Sequence, residues 1–230
     1  MARLSRAESQ ARTREQLVTT AKELFLRDGY SVTSLEKVAD EAGYSKGAVY
    51  SNFRNKDELC LAVLDSIHDE QVELVAEALT GADGMEGLLN AFQAWAERSI
   101  GDEAWTALEV EFATNARRDP QIRHELAVRD KAIRDTIAGL LTGYAERFGI
   151  TLPMSADDAA TALLSLGIGL GVQRAIDPTI PVTVLPDVIR LFAGGRRQPG
   201  ACPVDGKRHQ VGEPRMLSDV DSGREAGRGQ

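Results

Sequence analysis

The chain has little cysteine, few aromatic residues and no metal-binding sequence pattern. Two of its 230 residues are cysteines, Cys60 and Cys202, and aromatic residues make up 5%. The cysteines lie far apart, without a Cys-X-X-Cys or histidine-rich spacing, so we expect neither a disulfide framework nor a zinc site. Together these observations favour a protein of a reducing cytoplasm that needs no metal and no cofactor.

Signals for export or membrane insertion are also missing. The first ten residues, MARLSRAESQ, lack the apolar core of a signal peptide. The longest apolar run, AATALLSLGIGLGV, is shorter than the roughly 20 residues of a membrane-spanning helix. We therefore expect a soluble, cytoplasmic protein with no membrane partner.

The residue pattern of an enzyme is absent as well. His68, His124 and His209 share no spacing typical of a metal site or a catalytic triad, and no glycine-rich phosphate loop occurs. Cys60 fits a small buried apolar residue. A helical small-molecule enzyme is the alternative from another functional class, but it would need a nucleophile, a metal or an acid–base pair. The sequence therefore favours a protein that is not an enzyme.

The negative charge is concentrated in the middle of the chain. The formal net charge is −8. Residues 1–60 carry 10 Lys and Arg against 9 Asp and Glu, whereas residues 61–193 carry 10 against 21. The overall charge argues against a general nucleic-acid binder, but the nearly neutral N-terminal part has an arginine-rich arm that can approach phosphates.

Apolar residues recur at helical spacing from residue 9 to about residue 193, with no convincing strand pattern. We predict an all-α protein of about nine helices. Residues 1–55 are expected to form an N-terminal arm and three helices, and residues 56–193 a larger helical domain. Periodicity stops at residue 194, and the composition of residues 194–230 is typical of a disordered tail.

Three helix starts are predicted from capping residues. Thr33 with Glu36 forms a capping box, Ser45 is an N-cap, and Asn55 precedes Glu58 by three residues. The helices that begin at the first two caps are short, with a turn of three or four residues between them. Such a pair predicts a helix-turn-helix.

The second helix of this pair has the composition of a groove-entering helix. Gly47 and Ala48 keep it slim, Lys46 can reach a guanine edge or a phosphate, and Tyr50 can hydrogen-bond phosphate oxygens. Lys56, at the start of the next helix, can hold the same DNA backbone.

The stretch AKELFLRDGYSVTSLEKVADEAGYSKGAVYSNFRNKDEL resembles the DNA-binding domain of the TetR family of bacterial transcription regulators. The matching features are Phe25 to Tyr30, Thr33, the alanines before Gly43, Ser45 to Gly47, Tyr50, Phe53 and Lys56. Ser51 and Asn52 depart from the family, which usually has an aromatic residue or histidine there. The resemblance implies that the DNA-contacting residues are Thr33, Ser34, Tyr44, Ser45, Lys46, Gly47, Ala48, Tyr50, Ser51, Asn52 and Lys56.

The same resemblance implies a second domain that binds a small-molecule effector and forms a homodimer. The dimer would form through the helices spanning about Asp157–Asp177 and Leu185–Ala193. The apolar character of AATALLSLGIGLGV supports this, because a helix apolar nearly all round needs a partner. The expected function is a repressor that binds a palindromic operator and is released by its effector. A DNA-binding regulator with no effector is the nearer alternative.

Residues of the effector site are predicted from apolar helix faces and one inward-pointing carboxylate. Glu109 can recognise a cationic or hydrogen-bonding ligand, or instead form an internal ion pair with Arg134. The long helix from Lys56 to Leu79 is expected to couple the two domains. The candidate effector-binding residues are Phe92, Trp95, Trp105, Leu108, Glu109, Phe112, Ile137 and Tyr144.

Overall fold

The computed structural model describes residues 5–192, which form nine α-helices without a strand in that range. The predicted all-α fold is therefore confirmed. The predicted tail, residues 194–230, lies outside the described residues. The helices are α1 (Arg6–Asp28), α2 (Leu35–Ala42), α3 (Lys46–Asn52), α4 (Lys56–Thr80), α5 (Gly84–Ser99), α6 (Glu103–Ala116), α7 (Pro120–Phe148), α8 (Ala156–Ile176) and α9 (Val184–Phe192).

The first helix begins earlier than its apolar pattern predicts. Ser5 accepts a hydrogen bond from the backbone N–H of Glu8, and the Glu8 carboxylate accepts one from the backbone N–H of Ser5. This capping box starts α1 at Arg6 rather than at residue 9. At the other end, Gly29 ends the helix with φ +93°, a conformation that favours glycine, and donates its N–H to Phe25 O.

The predicted cap at the start of α2 is wrong by one residue. Ser34 is the N-cap, and its hydroxyl accepts a hydrogen bond from the backbone N–H of Lys37 at 3.1 Å. Thr33 is 1% exposed, and its hydroxyl donates to Gly29 O at 2.9 Å. Thr33 therefore closes the turn between α1 and α2 from inside, which leaves the capping role to the exposed serine.

One hydrophobic core joins the first three helices to the helices that follow. Phe53, just after α3, is buried with Leu59 and Val63 of α4 and with Phe112 of α6. The predicted boundary between residues 55 and 56 falls within this continuous packing, and the division into domains stays a prediction.

Parts of α4 and α7 are more exposed than their spacing predicts. Leu74 of α4 and Leu140 of α7 are 47% and 46% exposed. Helical spacing places each of them on a face with other apolar residues, but it does not show whether another helix covers that face. No neighbouring helix in the described range covers these two side chains fully.

Helix α8 packs mainly on α7, and also contacts α6 and α9. A smaller core contains Ala96 of α5, Leu170 of α8 and Leu185 of α9. With 21 residues, α8 is long and apolar enough to cross a membrane on those two criteria, contrary to the prediction from its apolar run. The helix exceeds the run because Ser155 caps it upstream and it extends to Ile176. Core helices of soluble proteins meet the same criteria, so this is weak evidence for a span.

Candidate functional site

Helices α2 and α3 form a helix-turn-helix with a three-residue connection. Gly43, at φ +72°, ends α2. Ser45 caps α3, and its hydroxyl accepts a hydrogen bond from the backbone N–H of Ala48 at 3.2 Å, as predicted. Val49 and Phe53 are 0% and 1% exposed. The inner side of α3 is therefore held firmly by the core while its outer side stays open.

The outer side of α3 carries most of the predicted DNA-contacting residues. The Lys46 side chain is 65% exposed, and Tyr50 is 52% exposed. Ala48 is partly buried. The exposed or partly exposed members of the predicted set are Ser34, Tyr44, Ser45, Lys46, Gly47, Ala48, Tyr50, Ser51, Asn52 and Lys56.

Glu36 of α2 is a residue of this surface that sequence reasoning missed. Its carboxylate lies 4.0 Å from Lys46 Nζ and accepts a hydrogen bond from the Tyr50 hydroxyl at 3.3 Å. The pKa of Glu36 is lowered, mainly by a hydrogen bond from its own backbone N–H; desolvation opposes this, and Lys46 and Tyr50 lower the pKa further. The charge of Glu36 is in turn the main cause of a raised Tyr50 pKa. Its place after the first cap made Glu36 look like a capping residue only.

Two predicted phosphate contacts already use their donors within α3. The Ser51 hydroxyl and the Asn52 side-chain amide both donate to Ala48 O at 2.8 Å. Arg14 of α1 donates to Asn52 O at 2.7 Å and lies 4.1 Å above the Phe53 ring. Arg14 therefore fixes the end of α3 from the side of α1.

Lys56 and Tyr44 are also engaged inside the protein. Lys56 Nζ donates to Tyr30 O at 2.9 Å and to Ser31 O at 3.3 Å, and it lies 4.1 Å above the Tyr30 ring. The Tyr44 hydroxyl donates to the side-chain oxygen of Gln16. Both residues brace the first three helices, so a DNA contact by either would be an additional role.

Helix α6 reaches the turn between α1 and α2 through Glu111. The Glu111 carboxylate accepts hydrogen bonds from the backbone N–H groups of Tyr30 and Ser31, both at 2.9 Å. Partial burial acts to raise the pKa of Glu111, but these hydrogen bonds and nearby Lys56 lower it overall. Because Glu111 lies about 80 residues further along the chain, no local pattern could have predicted this contact.

The candidate effector-binding residues fall into separate groups. Leu108 and Phe112 are 1% and 0% exposed in the main core. Phe92 and Trp95 pack in the smaller core, with ring centroids 5.4 Å apart. On α7, Tyr144 stacks on Phe148 with centroids 6.3 Å apart, and Ile137 is partly buried.

Trp105 and Glu109 form a third group with His68 of α4. The predicted ion pair between Glu109 and Arg134 is wrong, because Glu109 pairs with His68 Nε2 at 2.7 Å. Arg134 pairs instead with Asp130, one turn before it on the same helix. The His68 ring lies edge-on to Trp105, with centroids 6.2 Å apart. Trp105 Nε1 is buried and has no hydrogen-bond acceptor among the described residues.

Two family models match consecutive parts of the chain. Residues 17–63 match the model of bacterial regulatory proteins of the tetR family, and residues 84–193 match the model of the C-terminal part of BetI-type transcriptional repressors. The first match contains the helix-turn-helix, and the second contains α5 to α9.

Characterised relatives are bacterial transcription regulators. The transcriptional activator FasR of Mycolicibacterium smegmatis is 33% identical over 132 residues, which cover 56% of this chain and 58% of the relative. The nicotine-responsive repressor HdnoR of Paenarthrobacter nicotinovorans is 28% identical over 170 residues, which cover 73% of this chain and 86% of HdnoR. The matched region spans 58% of FasR and 41% of the regulator TtgR of Pseudomonas putida.

Solved structures share the fold at low sequence identity. Salmonella enterica GusR has a TM-score of 0.63 and 21% identity, covering 80% of this chain and 96% of that one. A regulator from Saccharomonospora viridis in complex with choline has a TM-score of 0.60 and 20% identity, covering 79% and 95%. The helix-turn-helix geometry, the two matched models and these relatives lead to one conclusion: the chain belongs to the TetR family of DNA-binding bacterial transcription regulators.

Proposed function

We propose that this protein is a cytoplasmic, ligand-responsive repressor that binds a palindromic operator as a homodimer and is released by a small-molecule effector. The observation that carries the proposal is the arrangement of α3. Val49 and Phe53 anchor this helix in the core, while Lys46 and Tyr50 point away from it. A slim helix fixed from behind, with polar side chains outside, is the arrangement that reads a major groove.

In the proposed complex, two copies of α3 enter successive major grooves about 34–36 Å apart. Lys46 contacts base edges, whereas Tyr50 and the caps around Ser34 and Ser45 contact phosphates and fix the register. The acidic part of the chain, residues 61–193, lies away from the DNA in this arrangement, where it is not repelled by phosphates.

The proposed homodimer forms through α8 and α9. Ile168 and Ile176 of α8 are 53% and 82% exposed, and Leu191 of α9 is 71% exposed. A Cβ added at Gly167 or Gly169 would meet no atom within 4 Å, so α8 is open on both sides of Ile168 and leaves room there for a partner helix. The predicted range extends to residue 193, which lies outside the described residues.

Gly171 differs from these two glycines, because it is buried. A Cβ at Gly171 would lie 3.9 Å from Gly101 N and from Thr106 Oγ1. Both distances are ordinary van der Waals contacts, so Gly171 faces the start of α6 within one subunit, and an alanine would fit there.

The proposed effector site is centred on Trp105, Glu109 and His68. A buried indole N–H without an acceptor is costly, and a ligand oxygen would satisfy it. Aromatic rings beside a carboxylate also suit an organic cation. The choline complex of the Saccharomonospora viridis regulator and the nicotine response of HdnoR support a small organic effector. Phe92 and Trp95 are candidates for lining a neighbouring part of the proposed effector site.

Effector binding would release DNA by favouring a conformation in which the spacing between the helix-turn-helix units of the two subunits no longer matches the operator. Such a shift requires a higher effector affinity in that conformation. Two connections can transmit this conformational change to the helix-turn-helix. One is α4, which follows α3 in the chain, and the other is Glu111 of α6, which binds the turn before α2.

A regulator without an effector is the second candidate, and the complete burial of Leu108 and Phe112 favours it, because both side chains fill space that a ligand would need. The choice of repressor over activator follows HdnoR and the BetI-type repressor model, whereas FasR is an activator.

The test is binding of the purified protein to the DNA upstream of its own gene, compared with scrambled DNA at several salt concentrations. We expect selective binding, with an affinity that falls steeply as salt rises. If this DNA is not bound selectively, a genome-wide pull-down shows whether the operator lies elsewhere. Failure to enrich any sequence in both experiments would refute the proposal.

A further inference from the structure

A carboxylate at the centre of a DNA-contacting surface is unexpected, because phosphates repel it. Glu36 occupies that position, with 41% of its side chain exposed, between Lys46 and Tyr50. Its backbone is fixed, since Leu35 and Val38 on either side of it are 7% and 0% exposed in the core. Glu36 therefore stays at the surface when DNA approaches, and it lowers affinity unless it meets a hydrogen-bond donor there.

The major groove offers such a donor at a G·C base pair. Cytosine presents its N4 amino group, and the paired guanine presents the acceptors O6 and N7. Adenine suits a carboxylate less well, because its N7 acceptor lies beside its N6 donor. A carboxylate and an ammonium group 4.0 Å apart offer one acceptor and several donors side by side, which is the complement of a G·C pair.

We propose that Glu36 determines specificity together with Lys46: the Glu36 carboxylate accepts a hydrogen bond from cytosine N4, and Lys46 donates to the guanine of the same base pair. This inference rests on the proposed function, since it assumes that α3 enters the groove. On binding, Glu36 exchanges its hydrogen bond from Tyr50 for one from cytosine, which frees the Tyr50 hydroxyl for a phosphate. Each half-site of the operator then contains one G·C pair read by Glu36 and Lys46.

The experiment selects preferred duplexes from a random double-stranded library with the full-length protein and with Glu36→Ala, Glu36→Gln and Lys46→Ala. Affinities are then measured for every single-base-pair change in the selected site. Glu41→Ala is the matched control, because Glu41 is an exposed carboxylate of the same helix whose charge acts on Arg27. Thermal unfolding verifies that each variant is folded.

We expect the unaltered protein to lose roughly 5- to 150-fold in affinity when one G·C pair per half-site is replaced. Glu36→Ala and Lys46→Ala should both lose discrimination at that pair and keep it elsewhere, whereas Glu41→Ala keeps the full profile. Glu36→Gln should shift the preference toward adenine, since an amide pairs with adenine N6 and N7.

Two results would overturn the inference while leaving the proposed function intact. In one, Glu36→Ala keeps the base preferences of the unaltered protein at every position. In the other, it changes affinity equally for all sequences. If the unaltered protein itself selects no sequence, the proposed function fails as well, so the two failures are distinguishable.

Discussion

Replacing Glu111 by glutamine tests the connection between α6 and the helix-turn-helix. The change keeps the size of the side chain and removes its charge. In the native protein, one carboxylate accepts hydrogen bonds from two successive backbone N–H groups, those of Tyr30 and Ser31, each at 2.9 Å. Glutamine has a single acceptor oxygen, so it can retain one of these bonds, in a weaker neutral form.

The expected cost follows from the two hydrogen bonds. A hydrogen bond to a charged group contributes about 1.5–3 kcal/mol net, and a neutral one about 0.5–1.5 kcal/mol. Losing one bond and weakening the other, at a partly exposed site, should reduce the free energy of unfolding by about 1–3 kcal/mol. For a chain of this length, each kcal/mol lowers the unfolding midpoint by about 2–4 °C.

The measurement is thermal and denaturant unfolding at a fixed protein concentration, because the proposed dimerisation would make the midpoint concentration-dependent. Glu73→Gln, which changes an exposed carboxylate of α4, is the control for the loss of one charge. Operator affinity should fall in Glu111→Gln and stay unchanged in the control. If Glu111→Gln has the same free energy of unfolding and the same operator affinity as the control Glu73→Gln, the role given to Glu111 is refuted.

The pH dependence of this difference has a definite sign. The pKa of Glu111 is lowered below the ordinary value of 4.5, so its stabilising effect is complete above that pH and is lost as the pH falls through the folded-state pKa. The stability gap between the unaltered protein and Glu111→Gln should therefore be constant near neutrality and narrow on acidification below about pH 4.5. A gap that widens on acidification would contradict this account.

Three other predictions concern single side chains. Lys46→Ala should weaken binding to the preferred sequence, whereas Tyr50→Phe should weaken binding more evenly across sequences. Titration of selected and scrambled duplexes measures both effects. Unchanged affinity in both variants would refute the proposal that α3 enters the major groove. Burial, followed by the charge of Asp57, raises the pKa of the Cys60 thiol far above its usual range. A thiol reagent should therefore label Cys60 only after unfolding, and rapid labelling of the folded protein would contradict its 0% exposure. Glu109→Gln should lower the free energy of unfolding by about 1 kcal/mol and change the effector response, because it weakens the contact with His68. If the stability and the effector response are both unchanged, Glu109 has no part in the proposed effector site.

Local signals in the sequence were sufficient to predict two of the three helix starts. Ser45 and Asn55 act within a few residues of their own position, and each caps the helix predicted to begin there. The exception, Thr33, shows the limit of such signals. Two adjacent hydroxyl residues can both cap a helix, and burial of Thr33 under the turn decides between them.

The polar contacts of the candidate site could not be predicted in the same way. Helical spacing indicated that Glu109 faces inward, but it could not show which helix lies opposite, and the partner is His68 of α4 rather than Arg134 of α7. Glu36 meets Lys46 and Tyr50 only because the angle between α2 and α3 brings them together. Both contacts depend on how helices pack, and a periodic apolar pattern contains no information on that.

The positions of Glu109 and Glu111 make α6 a physical link between the proposed effector site and the helix-turn-helix. Residues two apart in an α-helix point in nearly opposite directions, since each residue turns the helix by about 100°. Glu109 accordingly meets His68 of α4, while Glu111 meets the turn at Tyr30 and Ser31. A ligand that rotates or shifts α6 by displacing Glu109 must also move Glu111, because a helix transmits such motion as a rigid body. Glu111→Gln should therefore reduce the loss of operator affinity that an effector causes, even where the effector itself binds as before.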